Sequence, residues 1–301
     1  MNMDIDTTAL PDSGRVGSLF PDEPGTDATQ PLDMDQAMGA RRRAMRTLVV
    51  ANQKGGVGKT TLLVHIAFFL REHGIRTAVL DIDPQGNASA TLEQFGTTAD
   101  AADLFATGTG TVPTGDLVLY PASAELGTIE EAGPERSVPT LERSLDALDD
   151  AGIEICLVDT PPTLGGAMIS ALAAADFVVS PIDVNGYAIH GIGKLLNTIG
   201  HVQQVNPALE FVGMVPSMIH TRSRRQMNRL AQLRSAHPDL MIDNIIGDRD
   251  SIAEAVEESV PVWLLGKQKR SAYDAGKEVR RVIHELCRRI GVEWNDRRPS
   301  R

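Results

Sequence analysis

Apolar positions along the chain fall into short continuous runs separated by longer stretches with helical spacing. Residues 47–51 form the first run, β-branched and apolar, the pattern of a strand buried on both faces. Behind it, Leu63, Ile66, Ala67 and Leu70 recur at helical spacing and predict a helix over about 60–73, which Gly74 ends. Further strands are predicted at 77–82, 117–120, 153–158, 177–182 and 211–215, with a short one near 242–246. Helices are predicted near 123–132, 138–149, 166–174, 187–205, 223–236, 251–259 and 269–290. Apolar strands alternating with helices imply an α/β fold, a mostly parallel twisted sheet covered by helices on both faces. Residues 1–45 show no such period. They are rich in Asp, Pro, Gly and Thr and read as a disordered acidic tail, followed by one folded domain over 46–292 and a polar tail over 293–301.

Composition narrows the class. The 301 residues are 42% hydrophobic, enough for a sizeable core. No apolar run approaches the ~20 residues of a membrane span, and the N-terminus lacks a basic-then-apolar leader pattern. Two cysteines, Cys156 and Cys287, make neither a disulfide framework nor a four-ligand zinc site, so a reducing cytoplasm is expected. The net charge of −11 hides a gradient: residues 1–40 carry eight acids and one base, whereas residues 217–301 carry 12 acids and 17 bases. An acidic average therefore does not exclude a nucleic-acid partner for the C-terminal third.

The candidate chemistry begins directly after the first strand. Lys54-Gly55-Gly56-Val57-Gly58-Lys59-Thr60-Thr61 follows Gln53 and leads into the first helix, an altered strand–G-x-x-x-x-G-K-[ST]–helix unit. Glycines let backbone N–H groups turn inward around phosphate oxygens, and the helix adds its positive end. Lys59 is placed to reach the β- and γ-phosphates of a nucleotide, and the Thr60 hydroxyl to ligate Mg²⁺. Asp81 and Asp83 end the second strand, beside the phosphate crevice of such a sheet. Asp159 ends the strand Ile155-Cys156-Leu157-Val158, the Walker B pattern of an acid that holds Mg²⁺. Pro161 and Pro162 then stiffen the segment behind it.

Lys54, at the head of the loop, is not needed to cradle phosphate within one subunit. The box KGGxGK[ST] resembles the deviant Walker A motif of the ParA/MinD family of ATPases. The resemblance extends over about residues 47–290, through the Asp81–Asp83 box, Ser180 to Gly193, Phe211 to Pro216, Ser251 to Ala255 and Val260 to Val262. It is nearest to the ParA partition ATPases, those of broad-host-range plasmids especially. The resemblance implies that Lys54 reaches across a nucleotide-sandwich dimer to the partner's phosphates. It also implies that Asp83 positions the attacking water. Where many relatives carry a proline and an asparagine near adenine, this chain has Gly247-Asp248-Arg249-Asp250. Candidate adenine neighbours are Met214, Pro216, Gly247 and Arg249.

Arg222, Arg224, Arg225 and Arg229 crowd the start of one helix, and Lys267, Lys269 and Arg270 follow Gly266. Basic side chains on phosphates give sequence-independent, salt-sensitive affinity, so nonspecific DNA is the partner this family context implies. The last helix carries Val279, Val282, Ile283, Leu286, Cys287 and Ile290 on one face, read as core packing rather than a membrane anchor. The expected protein is an ATP- and Mg²⁺-dependent partition ATPase, a homodimer with ATP, working on the nucleoid in the cytoplasm with a ParB-like centromere-binding partner. Two alternatives remain open at this point: a MinD-like membrane-positioning ATPase, and a metabolic synthetase of the same fold.

Overall fold

The computed structural model describes residues 43–97, 99–108, 112–184, 188–265 and 270–294, the side chains of 188–191 excepted. Short apolar strands set the frame: β1 (Arg46–Val50), β2 (Thr77–Asp81), β3 (Leu117–Tyr120), β4 (Ile155–Asp159), β5 (Phe177–Ile182) and β6 (Glu210–Pro216). They form one sheet in the order β3-β2-β4-β1-β5-β6. Every pairing in it is parallel. Side chains alternate across the pleat. Leu48, Val50, Val79, Leu119 and Leu157 enter one core, and Val49, Ala51, Leu80, Tyr120 and Val158 the other.

The helices cover both faces. On the first lie α1 (Lys59–Glu72), α9 (Asp250–Glu257) and α10 (Arg270–Arg289). The second is covered by α3 (Ala101–Ala106), α4 (Leu126–Ala132), α5 (Pro134–Asp150), α6 (Gly166–Ala173) and α7 (Ala188–Val205). A short α2 (Asn87–Thr91) follows β2, and α8 (Arg224–Ala236) closes a smaller cluster at the β6 edge through Leu230 and Leu233. The α10 stripe from Val279 to Ile290 is buried in the core that holds α1, so this apolar face is covered by the protein itself.

Three differences from the expected elements have local causes. No strand forms at 242–246. That segment follows β6 through Ile242 N–H to Met214 O (2.8 Å) and Ile246 N–H to Pro216 O (2.8 Å). The intervening amides of Asp243 and Asn244 donate to the Glu285 carboxylate on α10 instead, at 3.1 and 3.3 Å, which leaves isolated bridges in place of a ladder. The helix expected to start at 138 begins at Pro134, behind Gly133 at φ 76°, and runs through Pro139. Finally, the folded unit begins at Arg43, not at residue 46. Arg43 Nε pairs with Asp146 (2.7 Å), the Met45 amide donates to Asp149 (2.8 Å), and Met45 is buried.

His65 ties α1 to the turn that precedes α10. It is fully buried, with Nδ1 2.7 Å from Thr61 O and Nε2 accepting the Val262 N–H at 3.2 Å. An imidazole that accepts at Nε2 is neutral and donates from Nδ1. Burial pushes its pKa down to about 4. A folded-state value below the unfolded one means that this contribution is complete above about pH 6.5 and is lost as pH falls toward 4. The loss from His65 alone is expected to be about 3 kcal/mol. Urea midpoints measured from pH 7 to 4 should fall more steeply for the parent than for His65→Gln; equal slopes would show that His65 is not the titrating group.

Candidate nucleotide site

The loop that leaves β1 is held by an asparagine. Asn52 is buried and donates from Nδ2 to Ser180 Oγ (3.1 Å) and Pro181 O (2.8 Å) on β5. Its Oδ1 accepts the Lys54 amide at 2.9 Å. Beyond this anchor the chain turns through Gly56 (φ 71°) and Gly58 (φ 89°), left-handed conformations that favour glycine. A Cβ on Gly58 would also lie 2.9 Å from Ser217 Oγ at the end of β6. Val57 is buried and pins the loop from below, while Gly55 and Gly56 are exposed. Helix α1 then begins at Lys59 with no side-chain cap and no acidic residue in its first turn, so its leading amides face the loop's concavity.

Lys59, Thr60 and Asp159 meet where β1 and β4 end side by side, Val50 paired with Asp159. Thr60 Oγ1 donates to Asp159 Oδ2 at 2.6 Å. Lys59 is buried, with Nζ 3.4 Å from Lys54 O. Burial lowers its pKa, against the pull of Asp159 and Asp83, which raise it. Asp159 is fully buried and its pKa is pushed up to about 8, by burial first and then by the nearby Asp81 and Asp83. Its Oδ1 has no hydrogen-bond partner among the described residues. An orphaned, desolvated carboxylate oxygen beside a threonine hydroxyl is a hard-oxygen donor pair of the kind Mg²⁺ takes, the remaining ligands being water and phosphate. No cluster of three or more acidic, His or Cys side chains competes for a metal among the described residues.

The two carboxylates after β2 divide their work. Asp81 accepts from the Asp83 amide (3.1 Å), the Ser89 amide (2.7 Å) and Ser89 Oγ (2.6 Å), so it braces the turn into α2. The Asp83 Oδ1 accepts the Gln85 amide (3.0 Å), and its charge acts on Lys59 and Asp159. Lys54 is half exposed and its Nζ pairs with Asp183, at the end of β5. Thr160, next to Asp159, ties its hydroxyl to Val50 O at 2.9 Å.

The remaining candidates separate. Thr61 sits in the first turn of α1, its carbonyl held by His65. Met214 is fully buried and packs with Ile182, Val184 and Met241, so its side chain belongs to the core rather than to an open crevice. Pro216 ends β6 beside Ser217. The Gly247 amide donates to Glu278 at 3.2 Å, and Arg249 forks onto the same carboxylate at 3.0 and 2.5 Å. Arg222, Arg224 and Arg225 are exposed and Arg229 half-buried, at the start of α8, where Ser223 is the N-cap. None of these four has an ion-pair partner among the described residues. Arg270 is exposed at the start of α10; Lys267 and Lys269 lie outside the described residues.

Known proteins resemble this chain in sequence and fold. A family model described as an AAA domain matches residues 45–211, more than half of the chain. Protein IncC of Escherichia coli is 44% identical over 265 residues, 83% of this chain and 71% of IncC. The chain belongs to the ParA/MinD family. The chromosome-partitioning ATPase Soj of Thermus thermophilus is 36% identical over 222 residues, 71% of this chain and 86% of Soj. A solved structure of cobyrinic acid a,c-diamide synthase from Mycobacterium smegmatis, with bound ADP and magnesium, shares the fold at TM-score 0.60 and 30% identity, over 71% of this chain and 91% of the synthase. Soj matches at higher identity than the synthase over the same 71% share of the chain, 36% against 30%, and the protein is a ParA-like partitioning ATPase. ParA/MinD relatives bind nucleotide and Mg²⁺.

Sequence reasoning passed over Asn52, Ser89, Asp183 and Ser217. Asn52 and Lys54's partner Asp183 act through contacts 128 to 129 residues along the chain, Ser89 acts through Asp81 at the end of β2, and Ser217 lies where a Cβ on Gly58 would fall. The buried Asp159 makes a direct prediction. A folded-state pKa raised to about 8 means that stability held by the protonated carboxyl is lost as pH rises from about 4 through 8. Without nucleotide, Asp159→Asn should therefore unfold later than the parent at pH 8, by about 3 kcal/mol. Its ATP turnover should fall on the order of a hundredfold. A thermal midpoint at or below the parent's at pH 8 would show that the carboxylate is not under this penalty.

Proposed function

We propose that the chain binds Mg²⁺·ATP in the cradle 54–61, dimerises across that nucleotide, and in the dimer binds DNA without sequence preference. The observation that carries this reading is the convergence of Lys59, Thr60, Asp83 and Asp159 at the carboxyl ends of adjacent strands. Backbone N–H groups of Gly55 to Gly58 and the first turn of α1 receive the phosphates. Lys59 lies against the β- and γ-phosphates, and Thr60 with Asp159 holds the metal side. A magnesium ion held there by Thr60 and Asp159 would supply charge neutralisation to the phosphoryl group being transferred. Asp83 orients a water in line with the γ-phosphorus, while Asp81 keeps the turn beneath it fixed. Lys54 reaches the phosphates of the partner subunit. Pro216, Gly247 and Arg249 stand near enough to the end of β6 to be tested as adenine neighbours.

The exposed Arg222, Arg224 and Arg225 at the start of α8 supply the DNA-binding face, with Arg229, Lys267, Lys269 and Arg270 as the further basic residues the sequence offers. A ParB-like partner at a centromere-like site stimulates hydrolysis and releases the ATPase, and repeated release and rebinding on the nucleoid moves a plasmid or similar replicon. No helix among the described residues is long and apolar enough to cross a membrane.

Two experiments test the reading. Lys59→Ala should abolish ATP binding, whereas Asp83→Ala should bind ATP and accumulate as a dimer that hydrolyses at least about tenfold more slowly. An Asp83 variant with parental turnover would assign water positioning to another residue. Replacing Arg222, Arg224 and Arg225 together by Ala should weaken binding to every DNA sequence alike and reduce the slope of log affinity against log salt by up to about 3. ATP binding should be spared; unchanged DNA retention would return these arginines to a solvated helix face.

A further inference from the structure

Lys54 is the one basic residue of the cradle that is already committed elsewhere. Its backbone cannot shift freely, because Asn52 Oδ1 holds its amide at 2.9 Å while the Asn52 amide group is fixed to Ser180 and Pro181. Its side chain is half exposed, and its ammonium lies on the carboxylate of Asp183, whose side chain is 12% exposed. Both attachments run to the same place, the carboxyl end of β5, 128 to 129 residues away along the chain. One ammonium cannot rest on this carboxylate and also reach out of the subunit. Since the backbone is anchored, the change of partner is a rotation of the lysine side chain alone.

We propose that Asp183 is an intramolecular latch: it holds Lys54 against its own subunit in the nucleotide-free protein, and its release sets the threshold for ATP-driven pairing of two chains. The proposal rests on the reading that Lys54 acts across the dimer interface, and adds to it the group against which that action must compete. Two phosphate-bearing sites facing each other offer each Lys54 a denser negative charge than one carboxylate, so the exchange is favourable only when nucleotide is bound and a second subunit is present. Without nucleotide the carboxylate wins, and stray pairing of the cradle is suppressed.

The dimer dissociation constant at saturating ATP, from light scattering on dilution, separates the possibilities. Two latches open per dimer, and a half-exposed ion pair is weak, so Asp183→Asn should tighten the dimer by about tenfold. Asp183→Glu, which keeps the charge, should stay within about threefold of the parent. A second readout needs no dimer: in the nucleotide-free protein, acetic anhydride should acylate Lys54 several-fold faster in Asp183→Asn than in the parent or in Asp183→Glu. If the Asn variant does not fold, Asp183→Ser takes its place in both measurements. Lys54→Ala is the control for the underlying reading. If it dimerises like the parent, the cross-interface role is wrong whatever Asp183 does. If it fails to dimerise while Asp183→Asn dimerises no more tightly than the parent, the cross-interface role stands and the latch is overturned. Parental acylation of Lys54 in Asp183→Asn overturns the latch as well.

Discussion

A carboxylate placed out of water governs the architecture around it. Asp159 ends β4, the strand between β1 and β2, and is covered on all sides by the elements that build the cradle. Its ionised form is disfavoured there, pushed to a pKa of about 8, with one oxygen satisfied by Thr60 and the other by nothing among the described residues. Lys59 suffers the opposite penalty for the same reason, and the two are kept close enough to offset each other in part. Such an arrangement costs stability as it stands and, on the proposed reading, would regain it when a cation and phosphates arrive. A site that is poor without ligand is thereby strongly responsive to it.

The strands follow from that need. A parallel sheet buried on both faces puts the carboxyl ends of β1, β2 and β4 at one edge. There the glycine loop, Asp83 and Asp159 arrive from positions far apart in the chain. Single hydrogen bonds then fix the supporting backbone. Asn52 holds the head of the loop, Asp81 with Ser89 holds the turn after β2, and Thr160 holds the step beyond Asp159. Lys54 differs from the others because its anchored backbone carries a side chain that retains freedom to move.

Most of the sheet was legible in the sequence because its strands are continuous apolar runs, and a strand buried on both faces needs little more to be recognised. The first helix and the stripe of α10 were legible for the same reason, their apolar residues recurring every three to four positions. The segment 242–246 misled because its apolar residues do sit in the core, while the amides of Asp243 and Asn244 are taken by Glu285, 41 to 42 residues further on. α3 went unread although Asp100 and Asp103 form a capping box, since six residues are too few to show a period. The meeting of Lys59, Thr60 and Asp159 was legible from the spacing of their motifs, whereas Asp83 was set apart from Asp81 through the family resemblance. The pairing of Lys54 with Asp183 was not legible, because no local pattern connects residues 129 apart. Met214, expected beside the base from its place near the end of β6, is instead enclosed in the cluster under α8.

In the proposed cycle, the deciding step is where Lys54 goes when nucleotide binds. A crystal structure of the chain with Mg²⁺ and a non-hydrolysable ATP analogue tests this most directly. The expected result is a two-fold dimer with each Lys54 Nζ off Asp183 and within hydrogen-bonding distance of a phosphate oxygen in the partner's site, and with Asp159 Oδ1 facing the metal. A dimer whose nucleotides are bound while Lys54 still rests on Asp183 of its own subunit would contradict it.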